Sequence, residues 1–320
     1  MDSRTYAPAR EPETDGSQGV MRIPEVAPMA EASGADLDVS VVIPCLNEEA
    51  SIELCVRQAL GAIRDVGLTG EVLVVDNGSS DRSPEMAATA GARVVREEKK
   101  GYGRAYLRGF REARGALIFM GDGDGTYNFA ELPLFLDKMT GDVEFVMGSR
   151  LRGDIKPGAM IWWRRFGNFL LSGMLRLVFR PGITDAHCGL RLISRSAIER
   201  MPLVAPGMEF ASEMIILAKR EGVRMAEVPI EYGTRPDDSP SKLKSIPDGL
   251  RHVRYMLAHA PVTWFLVPIL ALAGGGIVLL AAGHGRGLAT VVGVALLVLA
   301  GMAAFAWYAL RRYARRTPPP

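Results

Sequence analysis

From Asp38 onward the chain alternates between short, continuously apolar runs and longer stretches with helical spacing, a pattern that leaves few folds open. "VSVVIP" reads as a buried strand, and in "EASIELCVRQALGAIRDV" the residues Ile52, Val56, Leu60 and Ile63 fall on one helical face. "GEVLVVDNGSSD" gives a second strand and a turn, followed by a helix through "PEMAATA". "ARVVRE" is a third strand, "GRAYLRGFREAR" a third helix and "GALIFMGDGD" a fourth strand. Strands with no polar alternation are covered on both faces, so the pattern predicts an α/β domain on a mostly parallel sheet. Such sheets bind ligands beyond the carboxyl ends of their strands.

The polar residues with chemical potential cluster at those ends: Pro44 to Glu49, Asp76 to Asp81, and Asp122 to Asp124. In "ALIFMGDGDGTYNF" two carboxylates, Asp122 and Asp124, sit one glycine apart where a buried strand ends. Neighbouring carboxylates raise each other's pKa unless a cation or donor stands between them, so a positive partner is expected. An EF-hand loop needs Gly at its sixth position and Glu at its twelfth. Here Tyr127 and Pro133 stand there, which excludes it. A hard divalent cation, held by one or two carboxylates and a diphosphate, fits better than a plain acidic turn. Asp76 is placed to accept hydrogen bonds from a nucleoside, while Asn77, Ser79, Ser80 and Asp81 suit a helix N-cap. "GYGRAYLRG" has Tyr106 where a dinucleotide fingerprint needs its third Gly, and it opens the wrong helix.

Two apolar stretches, Val262–Gly283 and Gly287–Leu310, contain no Asp, Glu or Lys and are long enough to span a bilayer. The link "HGRG" between them forces a helical hairpin. "RHVRYMLAH" before and "RRYARR" after put both flanks, and with them the main body and both termini, on the cytoplasmic side. Upstream, Arg150, Arg152, Lys156, Arg164 and Arg165 mix with Trp162, Trp163, Phe166 and Phe169, which suits an interfacial helix near a lipid phosphate. Residues 1–37 have no apolar core segment and are expected to be a disordered tail. Cys45, Cys55 and Cys188 lack metal spacing and read as reduced core thiols. A net charge of +2 argues against nucleic acid as a partner.

Taken in order, "VSVVIPCLNEEASI", "VLVVDNGSSD", "GYGRAYLRGF", "FMGDGDGTY", "VMGSR", "TDAHCGLRLISR" and "EVPIEYGTRPDDSPSKL" resemble the family-2 glycosyltransferases. Within them the chain most resembles the polyprenyl-phosphate (dolichol-phosphate-type) glycosyl synthases with two C-terminal membrane spans, a resemblance that covers about 40–250. The resemblance implies a GT-A fold over 38–243, a juxtamembrane amphipathic helix over 244–260, two spans over 261–310 and a basic cytoplasmic tail over 311–320. It also implies a nucleotide-diphosphate sugar donor, UDP- or GDP-linked, Mg²⁺ or Mn²⁺, and inversion at the anomeric carbon. By the same resemblance Pro44, Leu46, Glu48, Asp76, Asp122 and Gly123 contact the nucleotide, Asp124 with Asp122 binds the metal, and Arg235 and Lys242 close over the phosphates. Arg150, with Arg164 or Arg165, faces the acceptor phosphate, and Asp185 in D-x-x-x-G-x-R lies near the reacting centre. The membrane helices leave room for a homo-oligomer.

Three departures stand out. Leu46 replaces a common aromatic, Thr126 falls where a second metal ligand often stands, and the Arg235–Lys242 spacing is one residue long for a GDP-mannose branch. Neither glutamine, Gln18 or Gln58, begins the Q-x-x-R-W of processive polymerases. A phosphate acceptor, dianionic near neutral pH, needs cations rather than a general base, so Asp185 is expected to orient. Two alternatives remain open: a hydroxyl acceptor, for which Asp185 is the base, and a non-catalytic nucleotide-sugar-binding scaffold.

Overall fold

The structure is a computed structural model that describes residues 36–236, 245–282 and 287–316. Almost all of the expected tail, Lys242, most of the "HGRG" link and the last four residues lie outside them. The strands are β1 (Leu37–Cys45), β2 (Gly70–Asp76), β3 (Arg93–Arg96), β4 (Gly115–Met120), β5 (Val143–Ile155), β6 (Arg191–Ser194) and β7 (Arg224–Tyr232). They form one sheet in the order β3-β2-β1-β4-β6-β5-β7. All neighbours run parallel except β6, which is antiparallel to both β4 and β5.

The helices are α1 (Ile52–Asp65), α2 (Ser83–Thr89), α3 (Tyr102–Glu112), α4 (Leu132–Leu136), α5 (Trp162–Phe179), α6 (Arg195–Arg200) and α7 (Phe210–Arg220). One face of the sheet packs against α1, α2 and α4 through Ile52, Val56, Ile63, Ala87 and Phe135. The other packs against α3 and α7 through Tyr106, Phe110, Phe210 and Met214. This is why β1 from Val41 and all of β4 carry no polar alternation: both faces are covered. Register places Cys45 beside Asp76 and Val42 beside Met120, so β1, β2 and β4 end along one edge. The three cysteines are free and buried.

The antiparallel strand has a local cause. β5 runs past the sheet edge, with an irregularity between Ser149 and Asp154, and delivers the chain to α5 on that side. The chain re-enters from the same edge, Arg191 beside Met120, and therefore descends through β6 against its neighbours. Of the apolar side chains of α5, Leu175 is fully buried; Trp162, Phe166 and Leu170 are 78%, 62% and 61% exposed.

Beyond the sheet come α8 (Ser245–His259), α9 (Thr263–Ala282) and α10 (Leu288–Arg316). α9 and α10 are long and apolar enough to cross a membrane, with mean hydropathies of 2.3 and 2.5 and little of either buried. They meet at glycines: a Cβ on Gly276 would stand 2.8 Å from the Gly293 carbonyl oxygen. Close backbone approach is how apolar helices associate where no hydrophobic drive separates them from lipid. Arg311 Nη2 donates to the Ala260 carbonyl at 3.2 Å, so the end of α10 returns to the start of α9.

His252 of α8 is buried against the domain, and burial, then the Arg191 charge, push its imidazole down to about 4. The unfolded ring protonates first, near 6.5, so the stability from burying it neutral is complete above that pH and is lost as pH falls from 6.5 to 4. The full effect is about 3 kcal/mol at 1.36 kcal/mol per unit. Unfolding midpoints in detergent are expected to drop across that window, and less steeply in a His252→Leu variant.

Candidate active site

The edge where β1, β2 and β4 end carries the acidic residues that the sequence placed there. Asp122 Oδ1 accepts from the Tyr102 hydroxyl at 2.9 Å and from Tyr106 at 3.5 Å. Burial first, then the neighbouring Asp124 charge, push Asp122 up to about 6. Asp124 is oriented by its own turn, with Oδ1 accepting from the Thr126 backbone at 3.1 Å and hydroxyl at 2.6 Å. Asp124 thus caps its own turn, and Thr126 spends both of its donors on it.

The positive partner expected beside these carboxylates is Arg235. Its Nη2 lies 2.7 Å from Asp124 Oδ2 and its Nη1 3.5 Å from Glu48 Oε2. The backbone makes this meeting possible. Gly233 N–H donates to the Thr126 carbonyl at 2.8 Å, and Pro236 sits over Gly125. Gly125 has φ +76°, and a Cβ there would stand 2.9 Å from the Pro236 ring. The segment after β7 therefore lies as a strap across Asp122–Thr126.

Next to these carboxylates, Pro44 and Leu46 are half-buried at the end of β1, and Asn47 takes φ 54° to turn the chain toward β2. Asp76 is buried and its Oδ1 accepts from Ser79 N at 2.9 Å. Glu48 N donates to Ser83 Oγ at 2.8 Å, tying the two strand ends together. Gly123 packs under this shelf, where a Cβ would stand 3.1 Å from Ile43 and Ile52.

The family model for glycosyl transferase family 2 matches residues 40–201. The chain belongs to that family. The low-salt glycan biosynthesis hexosyltransferase Agl6 of Haloferax volcanii is 43% identical over 281 residues, covering 83% of this chain and 67% of the relative. Glycosyltransferase AglJ of the same organism is 32% identical over 212 residues, covering 66% of this chain and 68% of that one. Glucosyl-3-phosphoglycerate synthase from Mycobacterium tuberculosis, solved with Mn²⁺ and UDP-glucose, superposes with a TM-score of 0.56 at 22% identity. That match covers 72% of this chain and 82% of the other, and it shows a shared GT-A fold.

In this glycosyltransferase the arginines expected near an acceptor phosphate stand in different surroundings. Arg150, expected to face a phosphate, is buried and forked onto Asp185: Nε to Oδ2 at 2.7 Å and Nη2 to Oδ1 at 2.9 Å. Burial alone would raise the Asp185 pKa; the Arg150 charge and hydrogen bonds outweigh it and hold the carboxyl below its usual range. The guanidinium also stands 5.4 Å from the centre of the Tyr232 ring. Arg164 is half-buried with its guanidinium over Trp163, whereas Arg165 reaches a groove.

That groove, about 520 Å³, brings Arg165 together with Arg152 and Arg176, and with Trp162, Phe166 and Phe169. It adjoins Thr184, the neighbour of Asp185. Arg176 was missed in the sequence because it stands eleven residues beyond Arg165 on the same helix, three turns away, and no local pattern links them. Arg191, fully buried, donates to the carbonyls of Cys188, Ala186 and Ala211 at 2.8, 3.1 and 3.3 Å. The final Arg of D-x-x-x-G-x-R therefore staples the Asp185 loop and has no exposed surface for substrate. A Cβ on Gly189 in that loop would stand 2.9 Å from Asp122 Oδ2, which accounts for the glycine.

Proposed function

We propose that this chain is a membrane-anchored, inverting glycosyltransferase that moves a sugar from a nucleotide-diphosphate donor to a polyprenyl phosphate. The observation that carries it is the groove on α5: three arginines suit a phosphate, and three aromatic side chains suit the isoprenoid attached to it. The groove opens on the exposed apolar face of α5, which packs beside α8, which leads into α9 and α10. An acceptor held in a leaflet could reach Arg152, Arg165 and Arg176 without leaving the bilayer surface. The basic flanks of the spans favour a cytoplasmic domain and cytoplasmic termini.

The donor lies along the ends of β1, β2 and β4, with Pro44, Leu46, Glu48, Asp76, Asp122 and Gly123 around the nucleoside. A divalent cation, Mg²⁺ or Mn²⁺, fits the donor set, because Asp124 Oδ2 is oriented toward a cationic group. Among the described residues no cluster of three or more His, Cys, Asp or Glu forms a metal site. Such an ion draws its remaining ligands from phosphate oxygens and water. When bound it neutralises the diphosphate that departs. Arg235, released from Asp124, turns to the same phosphates.

The lipid phosphate attacks the anomeric carbon as the nucleoside diphosphate leaves from the opposite face. Asp185 favours a phosphate over a hydroxyl acceptor, since it is fully buried and its oxygens accept from the Arg150 side chain and backbone and from the His187 backbone, which hold it as the carboxylate. It orients Arg150, whose buried charge adds to the field that holds two anions together.

The deciding experiment measures nucleoside-diphosphate release from detergent-purified protein with Mn²⁺ or Mg²⁺, using UDP- and GDP-sugars with and without polyprenyl phosphate. Lipid-dependent release supports the proposal and identifies the donor. Donor binding without such release points to another acceptor, and no binding at all to a scaffold.

The strap makes a further prediction. Arg235→Ala removes the guanidinium 2.7 Å from Asp124, so Mn²⁺ alone should bind about tenfold tighter, as for removal of about 1.4 kcal/mol of competition. Electron paramagnetic resonance of free Mn²⁺ checks this without substrate. Nucleotide affinity in the same variant should fall.

A further inference from the structure

The loop that carries Asp185 is tied to the membrane-side helices by a chain of four polar side chains. Ser172 Oγ on α5 lies 3.2 Å from His187 Nδ1. His187 Nε2 lies 3.1 Å from Ser212 Oγ on α7, and that oxygen lies 2.8 Å from His252 Nδ1 on α8. The two imidazoles cross edge-on at 88°, with centres 4.6 Å apart. Ser172 and Ser212 are fully inaccessible and His252 is 6% exposed.

Proton counting makes the chain directional. Ser212 has one hydroxyl proton and touches two ring nitrogens, so it donates to one ring and accepts from the other. With both rings neutral, two arrangements exist, and each fixes the tautomers from α8 through to α5. Burial holds both imidazoles below their usual range; the His252 ring and the Arg191 and Arg150 charges add to this at His187, as Arg191 does at His252. An apolar contact could dock α8 equally well, whereas a satisfied buried network selects one geometry and penalises others.

The other end of the chain reaches the chemistry. The backbone N–H of His187 helps hold the Asp185 carboxylate, which in turn holds Arg150. A hydrogen-bonded path therefore runs from α8, the helix leading into the spans, to the buried ion pair beside the acceptor groove.

We propose that Ser172, His187, Ser212 and His252 form a positioning device that sets the acceptor half of the site according to the seat of the membrane-anchored helix α8. This rests on the acceptor reading above. The donor half should feel the device less, because the path ends at Asp185 and Arg150, and the contact of this loop with the donor half runs from Gly189 to Asp122 and not through the His187 ring.

The test uses the full chain in detergent, with farnesyl phosphate as the acceptor-side probe and UDP or GDP with Mn²⁺ as the donor-side probe. His252→Asn keeps a polar atom near Nδ1, His252→Leu fills the space without one, and Ser212→Ala removes only the bridging hydroxyl. The Leu and Ala variants should bind farnesyl phosphate about tenfold more weakly and exchange the His187 amide faster, with unchanged nucleotide affinity. The Asn variant should match the wild type in all three measurements. The proposal is overturned if the Leu and Ala variants retain farnesyl phosphate affinity, lose nucleotide affinity equally, or behave no differently from the Asn variant. Wild-type protein that binds nucleotide but not farnesyl phosphate would refute the acceptor reading itself, and the positioning role with it.

Discussion

Replacing Asp124 with Ala is expected to lower turnover by about 10³-fold, the scale of removing a principal electrostatic contact from a transferase site. The fold should survive. The variant loses two hydrogen bonds to Thr126, worth about 1 kcal/mol each. Against that loss, a like charge disappears from beside Asp122, where it is one cause of the raised pKa. Arg235 keeps Glu48 within 3.5 Å, so its guanidinium is not stranded. Nucleoside-diphosphate release measured beside the unfolding midpoint separates the two effects. Turnover near the wild-type level would remove Asp124 from the site, whereas a collapse in stability would show that the turn at Thr126 depends on it more than its geometry suggests.

The second large effect concerns the Arg150–Asp185 pair, which is fully desolvated on the carboxylate side. Asp185→Asn keeps the shape but leaves a buried guanidinium without its counter-charge, a loss of about 3–5 kcal/mol. Arg150→Gln leaves the opposite charge stranded and should cost a similar amount. The double variant carries neither orphan, so it should recover much of the stability while turnover stays low. A double-mutant cycle by denaturant unfolding tests this directly: strong coupling is expected, and additive losses would mean the fork does not form in solution. Recovery of turnover in the double variant would show that the pair serves the fold alone.

Much of the acidic edge was legible in the sequence, because it depends on local periodicity. Continuous apolar runs such as "LVVD" and "LIFM" declare strands buried on both faces, and parallel strands deliver their acids to one edge. Asp76, Asp122 and Asp124 follow from that rule. The basic groove was less legible. Arg150 belongs to the same basic cluster as Arg152 and Arg165, and nothing in the spacing distinguishes the buried arginine from those that line the groove.

The sequence by itself determined the strand–helix alternation, the acidic edge and the two apolar helices, since each rests on residues close together in the chain. Tertiary structure alone decided which cation faces Asp124: Arg235, 111 residues away, arrives there by the pairing of Gly233 with Thr126. It also decided that β6 runs antiparallel, through the return of the chain at the edge where α5 lies, and that Asp185 meets Arg150 across 35 residues. Periodicity encodes which face of an element is buried. Which charges meet is fixed only when loops close and desolvation leaves each buried ion one available partner.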